Sequence, residues 1–315
     1  TIVPAFSLKP RVVFYGVPGT DKTYIAQEIS ESKNRSESKK RFDNMVLIQF
    51  HPTYSYEDFI ECIRPVLSEE KIEYKIHNGI FKEFCRKAVK NPDEDYLFII
   101  VEINRGNLPK IFGELIYLLE YRLDLTKYEI SNSHNWSNIP TGCDKYCLKL
   151  PYSNEYFCIP TNVYIIGTMN TADRSIALFD LAMRRRFTFY RFEPNVQYWV
   201  SDQFSPNSTS KVLEKEDLVK FLNALNTKIS GSLDKDHLIG HSYFIGRSDE
   251  GRSYFMNLPE EKVKLVWQHQ IYPLIEEYCN FDENKVKQIL GDNPGDYNAV
   301  MKKLTNGSQI GRAHV

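Results

Sequence analysis

Four short, unbroken apolar runs dominate the first two-thirds of the chain: RVVFY (11–15), NMVLIQF (44–50), DYLFII (95–100) and NVYIIGT (162–168). A strand that is apolar on both faces must be covered on both faces, which a parallel sheet between two helical layers provides. The intervening segments carry helical spacing at Lys22–Ser32, Tyr56–Leu67, Gly79–Lys90 and residues 108–122. SIALFDLAMRRRF (175–187) reads as a further helix and TFYRF (188–192) as a last strand. Residues 127–161 interrupt the rhythm with polar turns and a possible hairpin, CLKLPYSNEYFCIP. Beyond Pro194 the strands cease, a Ser- and Asn-rich stretch (201–216) follows, and helices are expected at about 216–229, 259–279 and 282–290. The expected fold class is α/β: a parallel sheet flanked by helices at 1–194, then a small helical domain at 195–305.

Composition excludes little. The chain of 315 residues has a formal net charge of -1, so no global basic surface points to nucleic acid. No apolar run reaches the roughly 20 residues of a membrane span, which leaves the cytoplasm as the expected compartment. Six cysteines (62, 85, 143, 147, 158, 279) lack zinc-ligand spacing and read as buried or free thiols. The chain opens at Thr1 without methionine, and its last residues, IGRAHV, match a translated sequencing adapter. Truncation at both ends and a non-native tail at 306–315 are therefore expected.

The first strand runs into FYGVPGTDKTY (14–24), and the order strand, Gly-rich loop, Lys-Thr, helix is that of a phosphate-binding loop. In such a loop backbone N–H groups and the helix N-terminus face the phosphates. Lys22 would supply a point charge and Thr23 a hydroxyl for Mg²⁺. The pattern fails at one place: glycine is required before the lysine, and Asp21 stands there. Alone, the stretch would pass as a turn with a chance Lys-Thr. Two more strands end in polar groups that give it context. LFIIVEINRGN (97–107) ends in an acid, Glu102, with Val101 where the motif carries a metal-shell acid. GTMNTADRS (167–175) delivers Asn170 to the carboxyl edge of the sheet, where open α/β sheets bind ligands.

Together, FYGVPGTDKTY, HPTYSYEDFIECIRP, IIVEINRGNLPKIFGELIYLLE, LPYSNEYFCIPTNVYIIGTMNTADRSIALFDLAMRRRF and LDKDHLIGHSYF resemble the McrB-type AAA+ NTPases, motor subunits of modification-dependent restriction systems. The resemblance spans Arg11 to about Leu290 and implies a P-loop AAA+ core with a helical lid. It implies that Gly16, Val17, Pro18, Gly19, Thr20, Asp21, Lys22, Thr23 and Tyr24 hold the phosphates of GTP or ATP with Mg²⁺. Glu102 would be the catalytic base, Asn170 the first sensor, and Asp173 an organiser of the same site. Arg185 or Arg186 would reach a neighbouring protomer as an arginine finger, since AAA+ sites lie between subunits of a ring, here expected to be hexameric. His241 in GHSYF is either a lid contact to the nucleotide or an ordinary core or surface histidine. Partners implied are further copies of the chain, a McrC-type endonuclease, and DNA reached through an N-terminal domain or the endonuclease.

Asp21 and Val101 bear on one phosphate–Mg²⁺ centre. A carboxylate about 4 Å from a phosphate oxygen, at an effective dielectric near 20, repels it by roughly 4 kcal/mol at most. Val101 removes an anionic metal ligand while suiting a buried strand. Folding is expected to survive both changes, and Mg²⁺ placement to be weakened. Either the chain is a nucleotide-hydrolysing motor, or it is a hydrolysis-deficient binding and assembly subunit. The two changes themselves are either natural or sequence errors, since each needs one base change.

Overall fold

The computed structural model describes residues 6, 8–31, 44–68, 71–128, 137, 141–172, 179, 181–195, 215–244 and 260–307. The chain divides into two compact units. One comprises Thr1–Tyr15, Lys22–Met169 and Asp173–Arg191, the other Gly16–Asp21, Asn170–Ala172 and Phe192–Val315.

The first unit is built on a five-stranded sheet. Its strands are β1 (Arg11–Gly16), β2 (Asn44–Gln49), β5 (Tyr96–Val101), β8 (Val163–Asn170) and β9 (Thr188–Phe192), in the order β2-β5-β8-β1-β9. β2 and β5 pair in parallel from Asn44↔Tyr96 to Gln49↔Val101, and β5 and β8 in parallel from Tyr96↔Val163 to Ile100↔Gly167. The apolar runs make this sheet because Leu97, Phe98, Ile99 and Ile100 all have 0% exposure. Each such side chain contributes about 1.5–3 kcal/mol by leaving water. Helices α1 (Lys22–Glu31), α2 (Tyr56–Phe59), α3 (Ile80–Lys90), α4 (Leu108–Phe112), α5 (Leu115–Glu120) and α6 (Leu181–Arg184) complete the described helical part. An aromatic cluster sits in the core, with Phe59 stacked on Phe81 at 4.7 Å and edge-on to Phe98 and Phe112.

Two helices expected from spacing are different. Tyr56–Leu67 is helical only to Phe59. Glu61–Ser68 then forms β3, antiparallel to β4 (Lys71–Asn78). Pro65 cannot donate to a helix interior, and its ring would clash with the preceding turn. The register Ile63↔Ile76, Pro65↔Tyr74 and Leu67↔Ile72 gathers six apolar residues on one face of this hairpin. That face is exposed, Leu67 to 76% and Tyr74 to 75%. Residues 108–122 form two short helices, broken at Gly113 with φ 51°. The expected hairpin in 127–161 is present in part: β6 (Leu148–Lys149) pairs with β7 (Tyr156–Phe157).

A buried ion network fixes that second hairpin. Lys82 and Glu61 both have fully buried side chains and meet at 2.6 Å. Glu61 also accepts from the backbone N–H of Tyr152 and Ser153, at 3.0 Å each. Lys82 bonds Glu155 at 3.0 Å, and Glu155 pairs with Arg86. Burial pushes the Glu61 carboxyl up, but the bonds from Lys82 and Ser153 outweigh it and hold the group below its ordinary value. Cys143, Cys147 and Cys158 lie buried in an apolar cluster with Val89 and Leu123.

The second unit is helical: α7 (Lys215–Ser232), α8 (Glu260–Val266), α9 (Tyr272–Tyr278), α10 (Glu283–Leu290) and α11 (Tyr297–Gly307). Phe221, Trp267, Ile271, Ile275 and Ile289 form its core, all with 0% exposure. The helix expected at 259–279 contains a π turn, Trp267–Ile271, immediately before the α9 segment that carries Pro273 in its first turn. Proline lacks the N–H that an uninterrupted α ladder needs, and the wider turn absorbs the mismatch. α11 lies beyond the expected helices, although Tyr297, Val300 and Leu304 stand at helical spacing after a capping Asp296; those three tie it into the core. Residues 308–315 of the expected tail lie outside the described residues. No helix among the described residues is long and apolar enough to cross a membrane.

Candidate functional site

The loop Gly16–Asp21 has a backbone that only particular residues allow. Gly16 and Gly19 have φ of 153° and 75°, and Asp21 has φ 57°. Asp is among the few L-residues that adopt the left-handed region without prohibitive cost. A Cβ on Gly16 would stand 2.1 Å from the Phe192 carbonyl oxygen, so glycine is required for the close approach. Thr20 closes the loop internally, its hydroxyl donating to the Val17 carbonyl at 2.9 Å.

Within the same unit, the segment Gly240–Tyr243 lies on this loop. The Ser242 N–H donates to the Gly19 carbonyl at 3.0 Å. A Cβ on Gly240 would be 2.1 Å from that same oxygen and 2.3 Å from the Pro18 carbonyl oxygen. His241, on the short 3₁₀ turn His241–Phe244, is buried to 3% exposure and stands 3.1 Å from the Asp21 carboxylate through Nε2. Its Nδ1 accepts from the Asn195 N–H at 3.2 Å. His241 is thus a buried partner of the loop carboxylate. The Thr171 N–H donates to the Gly16 carbonyl at 3.0 Å, which joins the residue after Asn170 to the loop. The Thr171 hydroxyl is buried and has no hydrogen-bond partner among the described residues.

In the sheet unit, Lys22 opens α1 and is buried to 6% exposure, while Tyr24 is 39% exposed. The Thr23 hydroxyl is 3.5 Å from that of Thr168 on β8. β5 ends at Val101, and the next residue, Glu102, has φ 53° and ψ 47° as the cap of the turn Ile103–Arg105. Left-handed backbone at a glutamate is uncommon, costs of order 1 kcal/mol, and concentrates at functional positions. Its carboxylate accepts from Arg105 Nε at 3.3 Å. Asn170 is the last residue of β8, strand neighbour of β5. Asp173 lies outside the described residues.

The arginines differ sharply. Arg186 is buried to 7% exposure, donates to the Ala182 carbonyl at 2.6 Å and lies 3.5 Å from Glu120. Its own carbonyl accepts from Arg11 Nε at 2.8 Å. Burial lowers the Arg11 pKa to about 10, with Glu120 opposing and Arg186 adding to that shift. Arg185 is exposed, and Arg184 sits over the Phe189 ring at 5.0 Å.

Sequence reasoning missed Thr168, Thr171 and the Asn195–His241–Asp21 chain. The His241 bond joins residues 220 positions apart, which no local pattern reports.

Two family descriptions and two curated relatives match the chain. The family described as "AAA domain (dynein-related subfamily)" matches residues 11–187, and "McrB, alpha-helical lid domain" matches 217–287. The Type IV methyl-directed restriction enzyme EcoKMcrB subunit of Escherichia coli (strain K12) is 36% identical over 302 residues, 93% of this chain. The chain spans 60% of that relative's length. The Type II restriction enzyme BsuMI component YdiS of Bacillus subtilis (strain 168) is 27% identical over 284 residues, covering 78% of this chain and 77% of the relative. With its parallel sheet and its McrB lid, the chain belongs to the dynein-related AAA family as a McrB-type member.

Proposed function

We infer that this chain is the nucleotide-binding motor module of a restriction complex, binding GTP or ATP and hydrolysing it slowly. The observation that carries the reading is Glu102, held in left-handed backbone directly after an apolar strand. Strained backbone at an acid on a strand end is a device for aiming a base. The buried Thr171 hydroxyl beside the loop, without a partner among the described residues, supports it, because such a group wants an acceptor.

The residues divide the work. Backbone N–H groups of residues 16–23 would hold the phosphates, with Lys22 as the charge. Asn170 would sense the γ-phosphate or the attacking water, and Glu102 would orient and deprotonate that water. Asp173 would organise the same water site. Arg185, exposed, suits the arginine finger; Arg186, buried against Glu120, serves the packing of its own protomer. Mg²⁺, when bound, neutralises charge on the β- and γ-phosphates. Thr23 would hold it, and the set fits poorly in one respect: Val101 brings no oxygen where a carboxylate would belong. That position favours the second reading, a hydrolysis-deficient subunit that still assembles. The whole complex would be a ring, hexameric in this reading, acting in the cytoplasm with a McrC-type endonuclease on DNA. The E. coli relative is by name a subunit of a methyl-directed restriction enzyme.

The test is turnover of GTP and ATP by the chain and by its Asp21→Gly/Val101→Asp variant. The variant is expected to be faster by at least about tenfold, which corresponds to about 1.4 kcal/mol of barrier lowering from the added metal-shell carboxylate. Equal turnover in both would remove the metal-shell explanation, and turnover in neither would defeat the hydrolytic reading of the isolated chain.

A further inference from the structure

The residue that breaks the phosphate-loop pattern is not left bare. Asp21 holds a left-handed backbone, its side chain is 26% exposed, and its carboxylate meets His241 Nε2 at 3.1 Å. The tautomer of His241 follows from the bond at its other ring nitrogen. The Asn195 N–H can only donate, so Nδ1 must present its lone pair. The proton then sits on Nε2 and points at Asp21. The imidazole is thereby oriented from behind, in the manner of a positioned histidine.

The same segments grip the loop at its other end. The Phe192 carbonyl lies against Gly16, three residues before Asn195, the residue that orients His241. Gly19 is bonded by Ser242 and faces the Tyr243 ring, whose nearest atom would be 2.9 Å from an added Cβ. The loop is held at its first, fourth and sixth residues by backbone and side chains from 192–195 and 240–243.

We propose that Asp21 and His241 form a strap in which the lid histidine draws the loop carboxylate out of the phosphate cradle, so that Asp21 acts as a positioning residue rather than as a repulsive one. The proposal rests on residues 16–23 being a phosphate loop. It assigns to His241 a role that a glycine before Lys22 would not require: masking a negative charge. It also couples the two residues: the histidine matters to nucleotide binding only while the aspartate is present. With His241 removed, the carboxylate is released beside bound phosphates. With Asp21 replaced by glycine, a buried Nε2–H loses its acceptor, but the loop loses its charge.

Four full-length chains test this: the parent, Asp21→Gly, His241→Ala and the double variant, each titrated with mant-GTP and mant-ATP in the presence of Mg²⁺. His241→Ala is expected to weaken binding at least about tenfold when Asp21 is present, on the electrostatic scale of an unmasked carboxylate near phosphate. In the Asp21→Gly background the same change is expected to alter binding less than about twofold. Asp21→Asn, which keeps the acceptor oxygen without the charge, should bind within about twofold of the parent and become insensitive to His241→Ala, because the parent's carboxylate is already masked. An equal effect of His241→Ala in both backgrounds overturns the proposal. His241→Gln, which retains an N–H donor, guards against an alanine variant that does not fold and should bind within about threefold of the parent. A Gln variant as weak as the Ala variant would also overturn the strap. Nucleotide binding by none of the chains would defeat the phosphate-loop reading alone. The pair is then judged by nitrogen NMR of the His241 ring in the nucleotide-free protein. An Nε2–H tautomer whose Nε2 resonance moves on Asp21→Gly is expected, and an Nδ1–H tautomer, or no movement, overturns it.

Discussion

Replacing Glu102 by glutamine in the Val101→Asp background is expected to lower nucleotide turnover by about two to four orders of magnitude, the range associated with a positioned general base. The restored metal-shell acid gives a rate high enough to measure such a loss. Glutamine keeps the length and the hydrogen-bonding reach of the side chain but cannot take a proton from water. Binding of mant-nucleotide should change by no more than about threefold, because the loop N–H groups and Lys22, not Glu102, are assigned to the phosphates. A loss confined to kcat separates this role from a structural one. Stability should move by less than about 1 kcal/mol, since both residues share the same mild cost at φ 53°. Comparable loss of binding and turnover would place Glu102 among the structural residues instead.

The second large effect concerns folding. Lys82→Met removes one partner from an ion pair in which both side chains are fully buried. Methionine fills much of the aliphatic stem, so packing is nearly conserved and the loss is electrostatic. Glu61 keeps its two bonds from Tyr152 and Ser153 but loses its cation. Breaking a buried pair by removing one member costs about 3–5 kcal/mol. For a unit of this size each kcal/mol lowers Tm by about 2–4 °C, so a drop of about 6–20 °C is expected in calorimetry. Replacing Glu61 by glutamine in the same chain should return part of it, because a neutral amide can still accept from the two N–H groups. A drop below about 2 °C for Lys82→Met would show that the pair contributes nothing beyond a hydrophobic substitute. Glu155 and Arg86 would also lose order, as Lys82 bonds Glu155 directly.

The sheet could be read from sequence because its strands are apolar on both faces and therefore leave unbroken runs. The hairpin could not. Phe59, Ile60, Ile63 and Leu67 fall at spacings that suit a helix, and only Pro65 argued otherwise. What decides the matter is the alternation Ile72, Tyr74, Ile76 on the opposite strand, a pairing that exists only after the chain has turned back. The loop was legible by its order of elements even though its pattern failed at Asp21. The reason that failure is tolerable was not legible, because it lies in His241 and Asn195, brought to the loop by folding alone. The assignment between Arg185 and Arg186 was likewise open in sequence. The fold exposes Arg185 and buries Arg186 near Glu120, a difference of which adjacent identical letters carry no sign.

The β3–β4 hairpin has one further consequence. Its base is anchored at Glu61 and Cys62, but every residue of β4 is exposed. Two strands without a covering layer are at best marginally stable in water. The outer rungs can therefore separate and re-form while the five-stranded sheet stays intact, and the molecule has two melting scales rather than one. Amide hydrogens of Ile63, Val66, Leu67, Ile72, Tyr74 and Ile76 would exchange with solvent through that local opening, long before those of Leu97 to Ile100 are released.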